Sequence, residues 1–307
     1  MRTTTKSWAA WSTAILLASP ASASIPVHPR LIARQSDLTG FDWSAITPTP
    51  DLQYHDCYGT FKCARLQVPL DWSTVANTTN SSSTANAKTA AIAILTLPAT
   101  VPPTSPLYSG PILINPGGPG GSGVATVMAA GAIMQGLADT PGVRHFDILG
   151  FDPRGVGFTT PAASCYASDF ERTIDGLQQE GVPSVLKDLG LKAQWEARRG
   201  MTKLCEETAG AGEDSIFAHM STAAVARDML AIVEAADEWR VKSGGEGREE
   251  KARLQYVGFS YGSILGNTFA SMFPGRVGRM VVDGIADAED YVSGVSIAVI
   301  PGKRVSK

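Results

Sequence analysis

Residues 254–273 read Leu254-Gln255-Tyr256-Val257-Gly258-Phe259-Ser260-Tyr261-Gly262-Ser263 and then ILGNTFASMF. The run Leu254 to Phe259 is a short apolar segment bounded by glycine, the pattern of a buried strand, and the spacing after it predicts a helix over Ser263–Phe273. Ser260 therefore falls at a strand-to-helix turn, inside a G-x-S-x-G pentapeptide. In that context the pentapeptide is a nucleophile elbow, a sharp turn that holds the serine in a sparsely allowed backbone region. Glycines are needed on both sides because side chains there would clash. Ser260 Oγ is expected to project from the carboxyl edge of a sheet, where the N–H groups of the following helix favour developing negative charge. The competing reading is an ordinary serine in a strand-turn-helix.

Working outward, Ala91–Leu97, Ile112–Asn115, Phe146–Phe151 and Met280–Asp283 also read as buried strands, and their unbroken hydrophobicity suits a parallel sheet covered on both faces. Helix patterns over Gly123–Ala138 and Thr222–Trp239 alternate with them and are long enough for crossovers. The fold class is α/β, a mostly parallel doubly wound sheet. The strand Ile112–Asn115 runs into Asn115-Pro116-Gly117-Gly118-Pro119-Gly120-Gly121-Ser122-Gly123, a loop from which little projects. Its backbone N–H groups can approach a ligand closely. A phosphate cradle would need a G-K-[ST] lysine or a dinucleotide fingerprint, and neither is present. The elbow downstream favours a second oxyanion-hole donor beside the Tyr261 N–H.

The chain has 307 residues, 44% hydrophobic and 18% charged, with mean hydropathy +0.01 and net charge −3. It can bury a large core, and it lacks the basic footprint of a nucleic-acid partner. Arg2 and Lys6, the apolar stretch Trp8–Ala18 and the small-residue triplet Ala21-Ser22-Ala23 form an export signal with cleavage expected after Ala23. No stretch reaches the roughly 20 apolar residues of a bilayer span, so no membrane anchor is expected. Export suits the even cysteine count. Proximity pairs Cys57 with Cys63 and Cys165 with Cys205 as disulfides, and no metal site is read into them. Asn77 and Asn80 head glycosylation sequons in a Ser/Thr/Asn-rich loop. The expected organisation is a leader over 1–23, an N-terminal linker with disulfide turn and glycosylated loop over 24–88, a core over 89–291 with an insertion at 161–220, and an atypical tail over 292–307.

The order NPGGPGGSG, FDPRGVGFTTP and GFSYGSILGNTFASMFPGRVGRMVVDG resembles the secreted α/β-hydrolases of the prolyl aminopeptidase and tripeptidyl aminopeptidase family, from about Phe41 to about Tyr291. The resemblance implies Ser260 as nucleophile and the Gly118 and Tyr261 N–H groups as oxyanion hole, with no cofactor. It implies a peptide substrate cleaved from its N-terminus. A small ester is the alternative, and a catalytically inactive binding protein is another. Asp152-Pro153-Arg154-Gly155 matches a family turn in which Arg154 is read as a structural brace paired with a carboxylate.

A serine needs a base, which this fold supplies after the nucleophile in the order Ser, Asp/Glu, His. None of the 47 residues after Ser260 is histidine; His28, His55, His145 and His219 all precede it. His219 as an out-of-order base and Asp283 as a triad acid are the weaker readings, against a capping histidine and a turn residue. The family's lid, final strands, acid and histidine do not fit after Asp283. The sequence thus suggests a truncated product with an incomplete triad, an exposed sheet edge and little activity of its own.

Overall fold

The computed structural model describes residues 40–76, 88–181, 189–210, 212, 215–247 and 249–293. The expected leader, Asn77 and Asn80, His28 and residues 294–307 of the expected tail lie outside them. The strands are β1 (His55–Cys57), β2 (Phe61–Pro69), β3 (Thr89–Leu97), β4 (Tyr108–Asn115), β5 (His145–Phe151), β6 (Leu254–Phe259) and β7 (Val277–Asp283). The helices are α1 (Trp72–Ala76), α2 (Gly123–Ala138), α3 (Asp169–Glu180), α4 (Gly190–Ala209), α5 (Thr222–Lys242), α6 (Tyr261–Met272) and α7 (Ala288–Ser293).

The strands form one sheet in the order β1-β2-β3-β5-β4-β6-β7. Neighbours are antiparallel from β1 to β5 and parallel from β5 through β4 and β6 to β7. The α/β reading holds, and the parallel half carries the elbow. The sheet also reaches back to His55, ahead of the first strand read from the sequence. In β2 a buried residue alternates with a half-exposed one along much of its length, which breaks the continuous apolar run that marked the other strands.

Alternation along the strands divides the core in two. Ile92, Ile94, Leu113, Leu149 and Tyr256 pack with Met229, Ile232 and Leu265 of α5 and α6 on one face. Ala93, Leu95, Ile114 and Ile148 meet Val124 and Val127 of α2 on the other. Helix α2 comes down onto β5 at Gly123 and Gly150, where a Cβ on either glycine would collide with the other element's backbone. That contact fixes the height at which the glycine-rich loop leaves the sheet. Both expected disulfides are present, Cys57 with Cys63 and Cys165 with Cys205. The second ties the segment before α3 to the last turns of α4, and neither helix packs broadly against the sheet or its covering helices.

Near the amino end of the parallel strands, Asp147 is buried and accepts from Tyr108 Oη at 2.5 Å and Ala99 N at 2.7 Å. Burial raises its carboxyl above the ordinary value, and the two donors counter that rise. A raised carboxyl stabilises the fold below its unfolded value and loses that contribution as pH climbs through the folded one. Tyr108→Phe removes one donor to the ionised form and raises the carboxyl further. The expected cost is about 1.5–3 kcal/mol at neutral pH, shrinking on acidification as Asp147 protonates. Urea denaturation of both proteins across that range checks it; a pH-independent gap contradicts the assignment.

Candidate active site

Ser260 sits between β6 and α6 with φ 54° and ψ −119°. Holding a non-glycine residue there costs on the order of 1–3 kcal/mol, and the surroundings show what enforces it. Ser260 N donates to Asp283 O at 2.8 Å, and Ser260 O accepts from Ser263 N at 2.9 Å and Ser263 Oγ at 2.6 Å. Ser263 Oγ in turn accepts from Ala286 N at 3.0 Å, tying the elbow to the loop after β7. The flanking glycines are required as expected. A Cβ on Gly258 would meet Gly262 O at 2.6 Å, and one on Gly262 would meet Asn115 O at 2.9 Å. Tyr256 Oη donates to Gly262 O at 2.8 Å. Ser260 is exposed, and its Oγ makes no hydrogen bond among the described residues.

The glycine-rich loop lies directly against this turn. Gly117 has φ +93°, and a Cβ there would land on Phe259 O and stand 3.0 Å from both Ser260 Cβ and Tyr261 N. Asn115 Oδ1 accepts from Gly117 N at 3.0 Å, and Gly117 O accepts from Gly121 N at 3.0 Å, closing the loop on itself. The N–H groups of Gly118 and Tyr261 make no hydrogen bond among the described residues. The structure thus brings together Ser260, Tyr261 and this loop, from the ends of β4 and β6, adjacent parallel strands.

Two buried carboxylates hold the surrounding loops. Asp152 accepts from Ser122 Oγ at 2.5 Å, Val124 N at 3.2 Å and Phe158 N at 2.9 Å, so it fixes the start of α2 to the turn after β5. Burial raises its carboxyl despite these donors. Arg154 is 1% exposed and meets Asp228 of α5 in a fork, Nε to Oδ2 at 2.6 Å and Nη2 to Oδ1 at 2.8 Å. Its remaining donors go to the carbonyls of Leu70, Pro69 and His219. Trp72 Nε1 gives Asp228 Oδ1 a further hydrogen bond at 2.8 Å. The brace read into Arg154 therefore has a definite partner.

None of the described histidines hydrogen-bonds Ser260. His55 opens β1, and His145 is held by Thr100 and Asp139 at the start of β5. His219 closes a short 3-10 turn and offers its carbonyl to Arg154. Asp283 Oδ1 accepts from its neighbour Gly284 N at 2.8 Å. Neither His219 nor Asp283 hydrogen-bonds the Ser260 hydroxyl. Sequence reasoning missed Asn115, Ser263 and Asp228. Only Asn115 carried a signal, as the polar end of an otherwise apolar strand.

Residues 110–239 match the family model for the alpha/beta hydrolase fold. The strand order and the strand-to-helix turn at Ser260 agree with that match, so these residues carry an alpha/beta hydrolase fold. It is 33% identical over 181 residues to a tripeptidyl aminopeptidase of Streptomyces coelicolor, covering 58% of this chain and 28% of the relative. It is 32% identical over 225 residues to the serine protease Hip1 of Mycobacterium tuberculosis, covering 73% and 36%. A Mycobacterium tuberculosis protein named carboxylesterase B is 34% identical over 176 residues, covering 57% and 29%. The chain spans about a third of the length of the curated relatives it matches.

Proposed function

We propose that this chain carries the nucleophile and oxyanion hole of a secreted serine peptidase that cleaves peptides from the N-terminus. Ser260 Oγ attacks the scissile carbonyl to form an acyl-enzyme, while the Gly118 and Tyr261 N–H groups receive the developing oxyanion. The observation that carries this reading is the strained Ser260, its hydroxyl unengaged, with the Gly117 loop pressed against the same turn. Relatives named tripeptidyl aminopeptidase and serine protease support a peptide substrate over the ester alternative. Two disulfides support export, and no described helix is long and apolar enough to cross a membrane. The reading assigns the general base to no described residue.

The test is modification by a fluorophosphonate probe, beside Ser260→Ala, followed by turnover of aminoacyl and tripeptidyl amides against short acyl esters. Slow labelling confined to Ser260 is expected. Turnover should lie about a millionfold below that of a serine hydrolase with its base in place, the scale measured for subtilisin. A folded chain that is never labelled overturns the reading in favour of a binding protein, and labelling that survives in Ser260→Ala places the nucleophile elsewhere.

A further inference from the structure

Helix α4 is about 30 Å long at 1.5 Å per residue, and it presents to solvent a combination that neither the sheet nor the proposed active site uses. Leu189, Leu191 and Trp195 are 79%, 70% and 64% exposed and lie together, lining with Lys192 a shallow hollow of about 510 Å³. A second hollow of about 600 Å³ shares Trp195 and continues along Arg198, Arg199 and Lys203, with Glu196 and Glu206 also in its wall. Between Lys192 and Lys203 there are four cations and one carboxylate, Glu196, on a chain whose net charge is −3. Glu196 lies 3.6 Å from Arg199 and Glu207 lies 3.7 Å from Lys203, both exposed pairs of the kind that are weak in water. The Cys165–Cys205 disulfide and Tyr166, which donates to Asp175 of α3 and reaches Met201 of α4, tie the insertion together. Because α4 does not pack broadly on the core, this face is free to meet a partner.

We infer that α4 is a peripheral docking face for an anionic lipid surface. Leucines beside a tryptophan, edged by lysine and arginine on long apolar stems, are the composition of a helix that lies in a bilayer interface without crossing it. Charge complementarity selects the partner, since each Lys or Arg gains near an anionic leaflet. A protein partner fits less well. Standard protein interfaces bury about 800 Å² per side around an apolar centre depleted of charge, whereas here cations run along the apolar residues. The apolar stripe Phe170, Ile174 and Leu177 on α3 is flanked by Glu171 and Asp175, the wrong sign for such a surface, and is left out of the face.

The test is co-sedimentation of the full chain with vesicles of equal parts phosphatidylglycerol and phosphatidylcholine, and with phosphatidylcholine alone. The variants are Arg198→Gln/Arg199→Gln and Leu191→Gln/Trp195→Gln. All four side chains are exposed, so circular dichroism and urea midpoints should match the parent. The chain should partition onto the anionic vesicles more strongly than onto the neutral ones, and less so in high salt. Neutralising both arginines should lower partitioning about thirtyfold, and the apolar double variant should lower it on both vesicle types. Three results overturn the inference: no partitioning, equal partitioning of all three proteins (which assigns any lipid affinity to the N-terminal apolar stretch they share), or self-association through α4 without lipid.

Discussion

Asp228→Ala is expected to destabilise the protein by about 3–5 kcal/mol, the scale for removing one partner of a buried ion pair. The Arg154 guanidinium is fully enclosed and loses both hydrogen bonds of its fork, while Trp72 Nε1 loses its acceptor. Burial already raises the Asp228 carboxyl, and Arg154 is what opposes that rise. The loss should spread beyond the pair, because the same arginine gathers the carbonyls of Pro69 and Leu70 from one stretch of chain and of His219 from another. Urea denaturation reads the effect. The double variant Arg154→Met/Asp228→Leu separates the pair's net contribution from the penalty of an orphaned charge, and should recover most of the stability. A single-variant loss under about 1 kcal/mol would show that water reaches Arg154 and that the brace is not enclosed.

Gly117→Ala is the second large effect, this time on reactivity. The added methyl would land on Phe259 O and crowd Ser260 Cβ and Tyr261 N, and φ +93° is strained for alanine. The loop must then lift from the elbow, carrying Gly118 away from the point shared with the Tyr261 N–H. Losing one oxyanion donor costs about 10²–10³-fold, so the rate constant for fluorophosphonate modification should fall at least a hundredfold. Gly120→Ala is the control. Gly120 also has positive φ, but its Cβ meets nothing within 4 Å, so its strain is not coupled to the elbow. Equal loss in both variants would mean that loop strain, not contact with Ser260, sets the rate.

Much of the candidate site is legible in the sequence. Gly258, Ser260 and Gly262 announce the elbow because only glycine tolerates backbone contacts as close as those with Gly262 O and Asn115 O. The loop from Asn115 to Gly123 is readable for the same reason. Helix α2 was bounded correctly at Gly123–Ala138, and Ser122, whose side chain accepts from Ala125 N, is its N-cap. Helix α6 begins two residues before the sequence estimate, at Tyr261, because the elbow passes into helix without a linker. Strand β4 begins at Tyr108, four residues earlier than the apolar run, since Gly110 and Pro111 interrupt the pattern where the pairing with β5 shifts register between Tyr108 and Pro111.

The sequence by itself determined the fold class, the strand-to-helix turn at Ser260, the glycine loop and both cysteine pairings, because each rests on local chemistry or on short chain separation. Tertiary structure alone decided which groups meet across long separations. It paired Arg154 with Asp228, set Gly117 against Ser260 across more than 140 residues, drew β2 into the sheet, and left Leu189, Leu191 and Trp195 facing solvent beside a row of cations. Apolar periodicity says that a face will be covered but not by what, and an arginine's need for a carboxylate does not name one.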